Sequence, residues 1–392
     1  MKINSIKSCQ NLKNKKVLLR VDFNVPLKNG RVADDYRIVS GLKTINYLLE
    51  KKARIIIISH LGEPKNDKDK AFSLKPVAAY LQKLLKIKIR FIPENDAKKI
   101  SKIVDNLAGG EIVFLENLRF NKGELSNDDK FAKELASFSD IYVNDAFSVS
   151  HRNQASVSAI KKYLPSYAGL LLAEEVESLA KVLKPKKPLV VIIGGSKIAT
   201  KEPLISKLYP LAAEILVGGA LANNFWKFQN FNIGKSLYDV GSDKEMKNYF
   251  KRGKLISKII LPIDVIVKNK KGEAVCKLPE NVLSGDTIYD IGPETISLFS
   301  SYIKKAKTLV WNGPMGKFEE RRFKYGSLNI ACSVAARSKG PSYGVVGGGD
   351  TVSALKMSKM EQYVDFISTA GGAMLTFLGG EVMPGLKKIV IK

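Results

Sequence analysis

The sequence predicts an α/β protein of two domains, each a parallel sheet flanked by helices, joined by a long inter-domain helix. Short apolar runs alternate with helical patterns along the whole chain, which is typical of parallel sheets covered by helices. The chain has 392 residues, 45% of them hydrophobic, which is more than one core usually organises. The apolar runs end in polar or cationic residues in the N-terminal half and in glycine-rich turns in the C-terminal half.

In the N-terminal half, five apolar runs predict strands of the kind that is buried on both faces. They cover residues 17–21, 53–59, 89–92, 112–115 and 141–144. Helices are predicted between them, over residues 35–51, 74–85, 96–107 and 128–138. The first helix carries Ile38, Leu42 and Ile45 at helical spacing, and Asp34 or Asp35 is its expected cap.

A long helix is predicted over residues 168–183, and Pro185 ends it because proline cannot continue a helix. This helix separates two Rossmann-like domains, residues 1–167 and 184–379. The strands predicted for the second domain cover residues 189–193, 214–218, 259–267, 287–291, 308–311 and 343–346. The last stretch, residues 386–391, is apolar enough to dock on the protein rather than hang in solvent.

The chain is strongly basic, with 64 lysine and arginine residues against 38 acidic residues and a formal net charge of +26. Such an excess raises the local concentration of anions, whether phosphorylated metabolites or nucleic acid. The lysines, however, are scattered and do not interleave with aromatic residues as a base-stacking surface requires. A biased composition explains the charge better, and no specific nucleic-acid partner is expected.

The apolar runs are too short to span a bilayer, and the N-terminus lacks the apolar segment of a signal peptide. The three cysteines, Cys9, Cys276 and Cys332, are far apart and have no CxxC spacing. We therefore expect a cytoplasmic protein with no membrane partner and no metal cluster.

Both histidines and one arginine of the N-terminal half lie where ligands are expected. His60 follows a predicted strand, and His151 stands beside Arg152 in a loop. In open α/β sheets, ligands bind at the carboxyl ends of the strands. Arg37 lies in the first turn of its helix, where the macrodipole disfavours a cation. An anionic ligand at that helix end would account for Arg37, and a merely solvated arginine is the alternative.

The first glycine-rich turn of the C-terminal half reads GGSKIATK over residues 194–201. It is not a Walker A loop, but Lys197 and Lys201 are four residues apart on one expected helix face, from which both can reach phosphates. A later turn, Trp311 to Gly316, follows a strand and suits the wall of a purine site, with core packing of Trp311 as the equal alternative.

Two more turns of the C-terminal half are expected to open helices toward the same cleft. Residues 347–351 read GGGDT, and the glycines let the backbone approach a ligand closely. Asp350 can ligate Mg²⁺ through oxygen, or it can only cap the next helix. Residues 368–373 open another helix in the same way.

Seven motifs, taken together, closely resemble those of phosphoglycerate kinases, and they occur in that family's order over essentially the whole chain. They are RVDFNVP (20–26), SHLG (59–62), LENLRF (115–120), NDAF (144–147), GGSK (194–197), WNGP (311–314) and GGGDT (347–351). Each motif alone is weak, and the set is specific.

The resemblance implies a glycolytic kinase that reversibly transfers a phosphoryl group between 1,3-bisphosphoglycerate with ADP and 3-phosphoglycerate with ATP. The N-terminal domain would bind the phosphoglycerate and the C-terminal domain the nucleotide with Mg²⁺. Residues 380–392 would pack back on the N-terminal domain. Hinge closure would bring the substrates together for in-line transfer, and the protein would be a monomer.

The resemblance also implies three sets of site residues, carried over motif by motif. The substrate-binding residues would be Arg20, Asp22, Phe23, Asn24, Arg37, His60, Gly62, Arg119, His151 and Arg152. The catalytic residues would be Arg37, Lys197 and Gly372. The nucleotide-binding residues would be Gly195, Lys197, Lys201, Gly218, Gly292, Asn312, Glu319, Gly348, Gly349, Asp350 and Thr351, with Asp350 also the magnesium ligand.

Three positions depart from the family's pattern. Glu63 replaces an arginine beside the expected phosphate site, Gln154 replaces a histidine, and Ala370 replaces a glycine. An anion beside a phosphate site predicts weaker binding of 3-phosphoglycerate, and Ala370 places a methyl where the backbone could need glycine's freedom.

Two other functions were weighed: a polyanion-binding protein on a decayed kinase scaffold, and a phosphotransferase with a different acceptor. The first predicts loss of the cations that would assist transfer, and Arg37 and Lys197 are both present. The second predicts a changed Asp22 and Asn24 pair, which is intact. The sequence therefore favours an active kinase.

Overall fold

The computed structural model describes residues 2–66, 69–93, 96–242, 246–247 and 257–391. The chain divides into two compact units. Unit 1 is Met1–Glu177 with Val382–Lys392, and unit 2 is Ser178–Glu381. The division falls within the helix that the sequence predicts between the domains. Among the described residues, no helix combines the length and the apolar character that crossing a membrane requires.

Unit 1 is built on a six-stranded parallel sheet of order β6-β7-β5-β2-β8-β9, with a β3-β4 hairpin beside it. In chain order the strands are β1 (Lys2–Ile3), β2 (Lys16–Val21), β3 (Leu27–Lys28), β4 (Arg31–Val32), β5 (Arg54–Ile58), β6 (Ile89–Ile92), β7 (Ile112–Leu115), β8 (Ile141–Asp145) and β9 (Ser166–Ala168). The helices are α1 (Tyr36–Glu50), α2 (Lys75–Leu85), α3 (Ala97–Asp105), α4 (Lys122–Leu125), α5 (Asp129–Ala136) and α6 (Leu170–Leu183).

The central strands are apolar on both faces because both faces of the sheet are covered. Val17 and Leu19 of β2 pack into one core, and Leu18 between them packs into another. The five predicted strands and four predicted helices are confirmed, with small differences at their ends. At α1, Asp34 accepts the backbone N–H of Tyr36 at 2.9 Å, whereas Asp35 accepts the hydroxyl of Tyr80.

The start of the inter-domain helix is one point where the prediction is wrong. Residue 168 was expected to be helical, but Ala168 ends strand β9, which pairs with β8, and α6 begins at Leu170. Asn4 accepts the backbone N–H of Ala168 at 2.8 Å, so this segment is held extended by the sheet and by the N-terminal segment.

Unit 2 has a six-stranded parallel sheet of order β12-β11-β10-β16-β17-β18 and a three-stranded antiparallel sheet of order β14-β13-β15. The strands are β10 (Leu189–Ile193), β11 (Glu214–Val217), β12 (Ile259–Ile260), β13 (Val265–Lys268), β14 (Ala274–Lys277), β15 (Thr287–Ile291), β16 (Thr308–Asn312), β17 (Tyr343–Gly347) and β18 (Phe366–Ser368). The helices are α7 (Glu202–Leu208), α8 (Gly219–Phe228), α9 (Pro293–Lys305), α10 (Tyr325–Arg337), α11 (Gly349–Met357) and α12 (Gly371–Leu378).

The single strand predicted over residues 259–267 is wrong. The segment forms two strands in different sheets, β12 in the parallel sheet and β13 in the antiparallel one. Pro262 lies between them, and proline has no N–H for a ladder. The strand at residues 287–291 has the predicted bounds, but it belongs to the antiparallel sheet, where it pairs with β13.

The C-terminal segment belongs to unit 1. Its last strand, β19 (Val390–Ile391), pairs antiparallel with β1. Asn144 Nδ2, on β8, donates to the carbonyl of Gly385 at 3.2 Å, and Lys161 Nζ donates to the carbonyl of Pro384. Lys388 Nζ donates to the carbonyl of Lys161 at 3.0 Å, so a strand pair and side-chain hydrogen bonds in both directions hold this segment.

Candidate active site

The carboxyl ends of the strands in unit 1 bring several predicted residues together. Asn24 follows β2, Gly62 follows β5 and Arg119 follows β7. The backbone N–H of Gly62 donates to Asn24 Oδ1 at 2.9 Å, and Arg119 Nη1 donates to the carbonyl of Gly62 at 2.6 Å. Neighbouring parallel strands end at the same edge, so residues far apart in sequence are in contact here.

Asp22 and Arg37 form an ion pair at this edge, with Arg37 Nη1 2.6 Å from Asp22 Oδ2. Arg37 Nη1 also donates to the carbonyl of Asn24 at 3.2 Å, and the hydroxyl of Ser148 donates to Asp22 Oδ2. Burial alone would raise the pKa of Asp22, but His60 and Arg37 lower it, and the net pKa lies below the ordinary value. An ionised Asp22 therefore orients Arg37, which is not merely solvated.

Arg119 is a buried cation with spare hydrogen-bonding capacity. Its Nε and Nη2 atoms are buried, and neither has a partner among the described residues. Burial lowers the pKa of Arg119, and the charges of Arg152 and Arg20 lower it further. Unpaired donors on a buried cation are costly unless an anion completes them, so this position is built to receive one.

Arg20 lies on β2, and Phe23 and His60 follow β2 and β5; the side chains of all three are buried. The side chain of Phe23 is fully buried in the core. Arg20 is also fully buried, and its three nitrogens contact Ser156, Val21 and His60. Direct contact of Arg20 and Phe23 with a substrate stays a prediction.

His151 and Arg152 lie in the loop after β8. Arg152 is exposed, and its charge is felt at both His60 and Arg119. His151 is partly buried; burial and the charge of Arg152 lower its pKa. Gln154, at a position where the family has histidine, is buried, and its Oε1 has no partner in the described part of the chain.

In unit 2, the glycine-rich turns line one cavity of about 310 Å³, which we call the glycine cavity. Of the residues predicted to act here, it is lined by Gly195, Lys197, Lys201, Asn312, Gly348, Gly349, Asp350, Thr351 and Gly372. Gly348 has φ +104°, which disfavours other residues, and a Cβ on Gly371 would lie 2.7 Å from Gly348 Cα. Glycine here permits two turns to approach each other closely.

The sequence predicts Lys197 and Lys201 on one helix face, and this prediction is wrong. Both precede α7, which begins at Glu202, so they lie in the loop after β10. Lys201 Nζ donates to Asn312 Oδ1, and Asn312 Nδ2 donates to the carbonyl of Gly347 at 2.7 Å. Burial lowers the pKa of Lys201 to about 8, although the charge of Asp350 opposes the shift.

A second cavity of about 400 Å³, the apolar cavity, shares Gly195 and Asp350 with the glycine cavity. Its apolar wall consists of Trp226, Leu237, Pro262, Val265, Ile288, Ile291, Pro314 and Met315. Glu319, a predicted nucleotide-binding residue, also lines it. A ring-sized apolar cavity that opens beside glycine-rich turns suits a nucleoside joined to phosphates.

The set of residues that lines the apolar cavity differs from the predicted set. Trp311 is fully buried in the core, and its Nε1 donates to the carbonyl of Gly313, so core packing is the correct alternative. Trp226 of α8 lines the cavity instead, and nothing in its sequence context distinguishes it from a core residue. Gly218 and Gly292 line neither cavity; a Cβ on them would meet Met315 at 2.6 Å and Asp264 at 2.2 Å.

A magnesium ion bound at the cavities of unit 2 would have one carboxylate ligand from the protein. Within the described residues there is no cluster of three histidine, cysteine or acidic residues. Asp350 is exposed and lines both cavities. Mg²⁺ in phosphotransferases is commonly held by one or two carboxylates with substrate phosphates, so Asp350 fits a magnesium ion that arrives with a nucleotide.

Ala370, the third departure, needs no glycine. It precedes α12 with φ −140° and ψ 86°, and a negative φ lies outside the left-handed region that favours glycine. Its carbonyl accepts the backbone N–H of Met374 at 2.9 Å, as at an ordinary helix start. The backbone at this position therefore does not need glycine's freedom.

The two units fit one class of protein, a two-domain α/β phosphotransferase, because unit 1 has a buried cation with free donors among the described residues and unit 2 has cavities lined by glycine-rich turns. The family model of phosphoglycerate kinase matches residues 6–381. The chain therefore belongs to the phosphoglycerate kinase family.

Relatives support this over the full length. The chain is 45% identical to the phosphoglycerate kinase of Wolbachia pipientis wMel, covering 98% of each, and 42% identical to that of Orientia tsutsugamushi (strain Boryong), covering 97% of this chain and 96% of the relative. Among solved structures, the phosphoglycerate kinase of Coxiella burnetii aligns with a TM-score of 0.88, 40% identity and 99% of each chain. That of Pyrococcus horikoshii OT3 aligns with a TM-score of 0.83, 30% identity and 98% of each.

Proposed function

We propose that this protein reversibly transfers a phosphoryl group between 1,3-bisphosphoglycerate with ADP and 3-phosphoglycerate with ATP. Membership of the family supports this activity. The observation that best supports the assignment of sites is that two buried donors of Arg119, Nε and Nη2, have no partner among the described residues, which favours unit 1 as the anion-binding unit. We further propose that the protein acts as a monomer in the cytoplasm.

In unit 1, Asp22, Asn24 and Arg37 would hold the glycerate, and Arg119 with Arg152 would hold its phosphate. The attacking group is the carboxylate of 3-phosphoglycerate, which is already ionised at neutral pH. The reaction therefore needs no general base, and the side chains of unit 1 have to position the carboxylate rather than activate it. The network from Asn24 through Gly62 to Arg119 supports such a role because it fixes three strand ends relative to one another.

In unit 2, the apolar cavity would take the adenosine and the glycine cavity its phosphates. The backbone N–H groups at the starts of α11 and α12 point toward negative charge at such positions. Lys201 would pair with a phosphate. Mg²⁺, held by Asp350, would neutralise phosphate charge when bound with the nucleotide.

Transfer itself would depend on stabilising charge on the equatorial oxygens of the phosphoryl group. Lys197 and the backbone at Gly372 line the glycine cavity, and Arg37 would contribute from unit 1. Since the substrates bind different units, hinge closure would have to bring them together and exclude water.

The test is MgATP consumption by the purified protein with and without 3-phosphoglycerate. Lys197→Ala removes a proposed transfer cation, and Lys207→Ala removes an exposed lysine of α7 as a matched control. Turnover that requires 3-phosphoglycerate, is lost in Lys197→Ala and survives in Lys207→Ala is expected. No turnover in folded protein that binds MgADP would contradict the proposal.

A further inference from the structure

We propose that Arg20 is a positioning residue that fixes the tautomer of His60, so that His60 presents an Nε2–H donor to the anion bound in unit 1. The identity of that anion, 3-phosphoglycerate, rests on the proposed function. The contact between the two side chains is a property of the protein without ligand. This role differs from the direct substrate contact that the sequence predicts for Arg20.

The guanidinium of Arg20 is held on three sides. It projects from β2, a central strand, and is completely buried. Its Nε donates to Ser156 Oγ at 3.0 Å, its Nη1 donates to the carbonyl of Val21, and its Nη2 lies 3.2 Å from His60 Nδ1. Ser156 Oγ donates in turn to Glu124 Oε1 at 2.6 Å, which fixes the hydroxyl as an acceptor for Arg20.

The direction of the contact between Arg20 and His60 follows from their chemistry. A guanidinium has five N–H donors, no acceptor, and stays protonated in proteins. His60 Nδ1 must therefore accept, so the proton of the neutral ring is on Nε2. Asp22 Oδ1 also lies near Nδ1, but at 3.9 Å it is beyond hydrogen-bonding distance.

The surroundings of His60 keep the ring neutral. Its side chain is 3% exposed. Burial lowers the pKa of His60 well below the ordinary value; Asp22 opposes this effect, and the cations Arg20, Arg119 and Arg152 add to it. His60 is thus a neutral donor and not one of the cations of the anion site.

The Nε2–H group of His60 is available to donate a hydrogen bond to a ligand. Within the described residues, Nε2 has no hydrogen-bond partner. The charge of Arg119 is felt at His60, and Arg119 keeps two buried donors without a partner in the same part of the chain. An Nε2–H donor adds to the attraction for an anion there, whereas an Nε2 lone pair would repel it.

The tautomer can be read directly from ¹⁵N-edited NMR spectra of the imidazole rings. The chain has two histidines, so a His151→Gln variant leaves one ring and assigns the signals. The expected spectrum shows His60 with Nδ1 unprotonated and Nε2 protonated at pH 7, and the Nε2–H signal shifts when 3-phosphoglycerate is added. A proton on Nδ1, or a cationic ring at pH 7, would overturn the proposal.

Two variants test whether Arg20 determines the tautomer of His60. Arg20→Lys keeps a donor next to Nδ1 and is expected to keep the Nε2–H tautomer. Arg20→Met removes the donor, so the Nδ1–H form becomes populated and 3-phosphoglycerate binds about tenfold more weakly, the usual scale for a hydrogen bond to a charged group. A folded Arg20→Met protein with one Nε2–H tautomer and wild-type affinity would overturn the proposal.

The wild-type spectrum decides the matter even if Arg20→Met does not fold, because it needs no variant of Arg20. It also separates this proposal from the proposed function. An inactive protein that shows the Nε2–H tautomer would contradict the kinase activity and support the role of Arg20. An active protein with the proton on Nδ1 would support the kinase activity and contradict the role of Arg20.

Discussion

Glu63 Oε1 lies 3.8 Å from Nη1 of Arg119, although Glu63 is 85% exposed and Arg119 is buried. The same Nη1 donates to the carbonyl of Gly62, immediately before Glu63 in the chain. A carboxylate therefore stands beside the proposed anion site, where it would neutralise part of the charge of Arg119 and repel an incoming anion.

Replacing Glu63 by arginine is expected to lower the KM for 3-phosphoglycerate. An exposed charge of this kind contributes up to about 1 kcal/mol, which corresponds to a change of about fivefold. Glu63→Gln, which removes the charge and keeps the shape, is expected to give a smaller decrease. The measurement is the KM for 3-phosphoglycerate at low ionic strength, since salt screens the effect.

Glu361→Arg is the matched control, because it makes the same charge change at an exposed position of unit 2. It should leave this KM within about twofold of the wild-type value. An unchanged or higher KM in Glu63→Arg, or an equal decrease in both variants, would show that the contact with Arg119 is irrelevant to binding.

Ala370→Gly, which restores the family's residue, is expected to give no gain in kcat. The backbone angles of Ala370 lie in a region open to residues with a Cβ, so glycine's freedom is not used. Glycine should instead lower the free energy of unfolding by about 0.4–1 kcal/mol, because it increases the entropy of the unfolded chain. Urea denaturation and steady-state kinetics test both parts; a rise in kcat would contradict the expectation.

Lys161 is expected to make stability rise with pH. Burial, with Lys387 and Lys388, lowers its pKa to about 7 from an ordinary value of 10.5. Between these values the unfolded chain binds more protons than the folded one, so raising the pH favours the folded state. The free energy of unfolding should increase by up to about 1 kcal/mol per pH unit between pH 7 and 9.

Urea denaturation at pH 7, 8 and 9 measures this slope. Lys161→Met should remove the part of the slope that comes from the buried ammonium. Lys162→Met is the control, since Lys162 is exposed and lies 2.6 Å from Asp129 at the surface. Equal slopes in the two variants would mean that Lys161 does not titrate in this range.

Much of the fold was predictable because local patterns dictate it. Both parallel sheets follow from apolar runs that alternate with amphipathic helices. The failure at residues 259–267 has a physical cause: the two strands are both apolar, and the segment around Pro262 between them offers little polarity to mark the change of sheet.

The parts of the site that are built from glycine-rich turns and polar strand ends could be predicted from the sequence. The parts that depend on tertiary packing could not. Glycine-rich turns and polar strand ends identified the glycine cavity and the edge of unit 1. The apolar cavity is built from residues of separate elements, such as Trp226 and Met315, whose exposure to a cavity depends on tertiary packing. The burial of Arg20, likewise, follows from its place on a central strand with both faces covered.

Nucleotide binding is expected to weaken as the pH rises through about 8. Burial lowers the pKa of Lys201 to that value, so the ammonium loses its proton at a pH where other lysines keep theirs. A neutral Lys201 still donates to Asn312 but no longer attracts a phosphate by charge. Calorimetric titration with MgADP from pH 7 to 9.5 should show the Kd increasing by up to about tenfold per pH unit above 8.

Lys201→Arg separates this effect from other titrations, because arginine stays protonated throughout this range. Its Kd for MgADP should vary little between pH 8 and 9.5, even if its affinity at pH 7 is lower. The phosphates of ADP do not interfere, since their last ionisation lies near pH 6. Lys207→Arg, at an exposed site on α7, should keep the wild-type pH dependence. If Lys201→Arg weakens with pH as steeply as the wild type does, another group controls the titration, and the shift assigned to Lys201 is wrong.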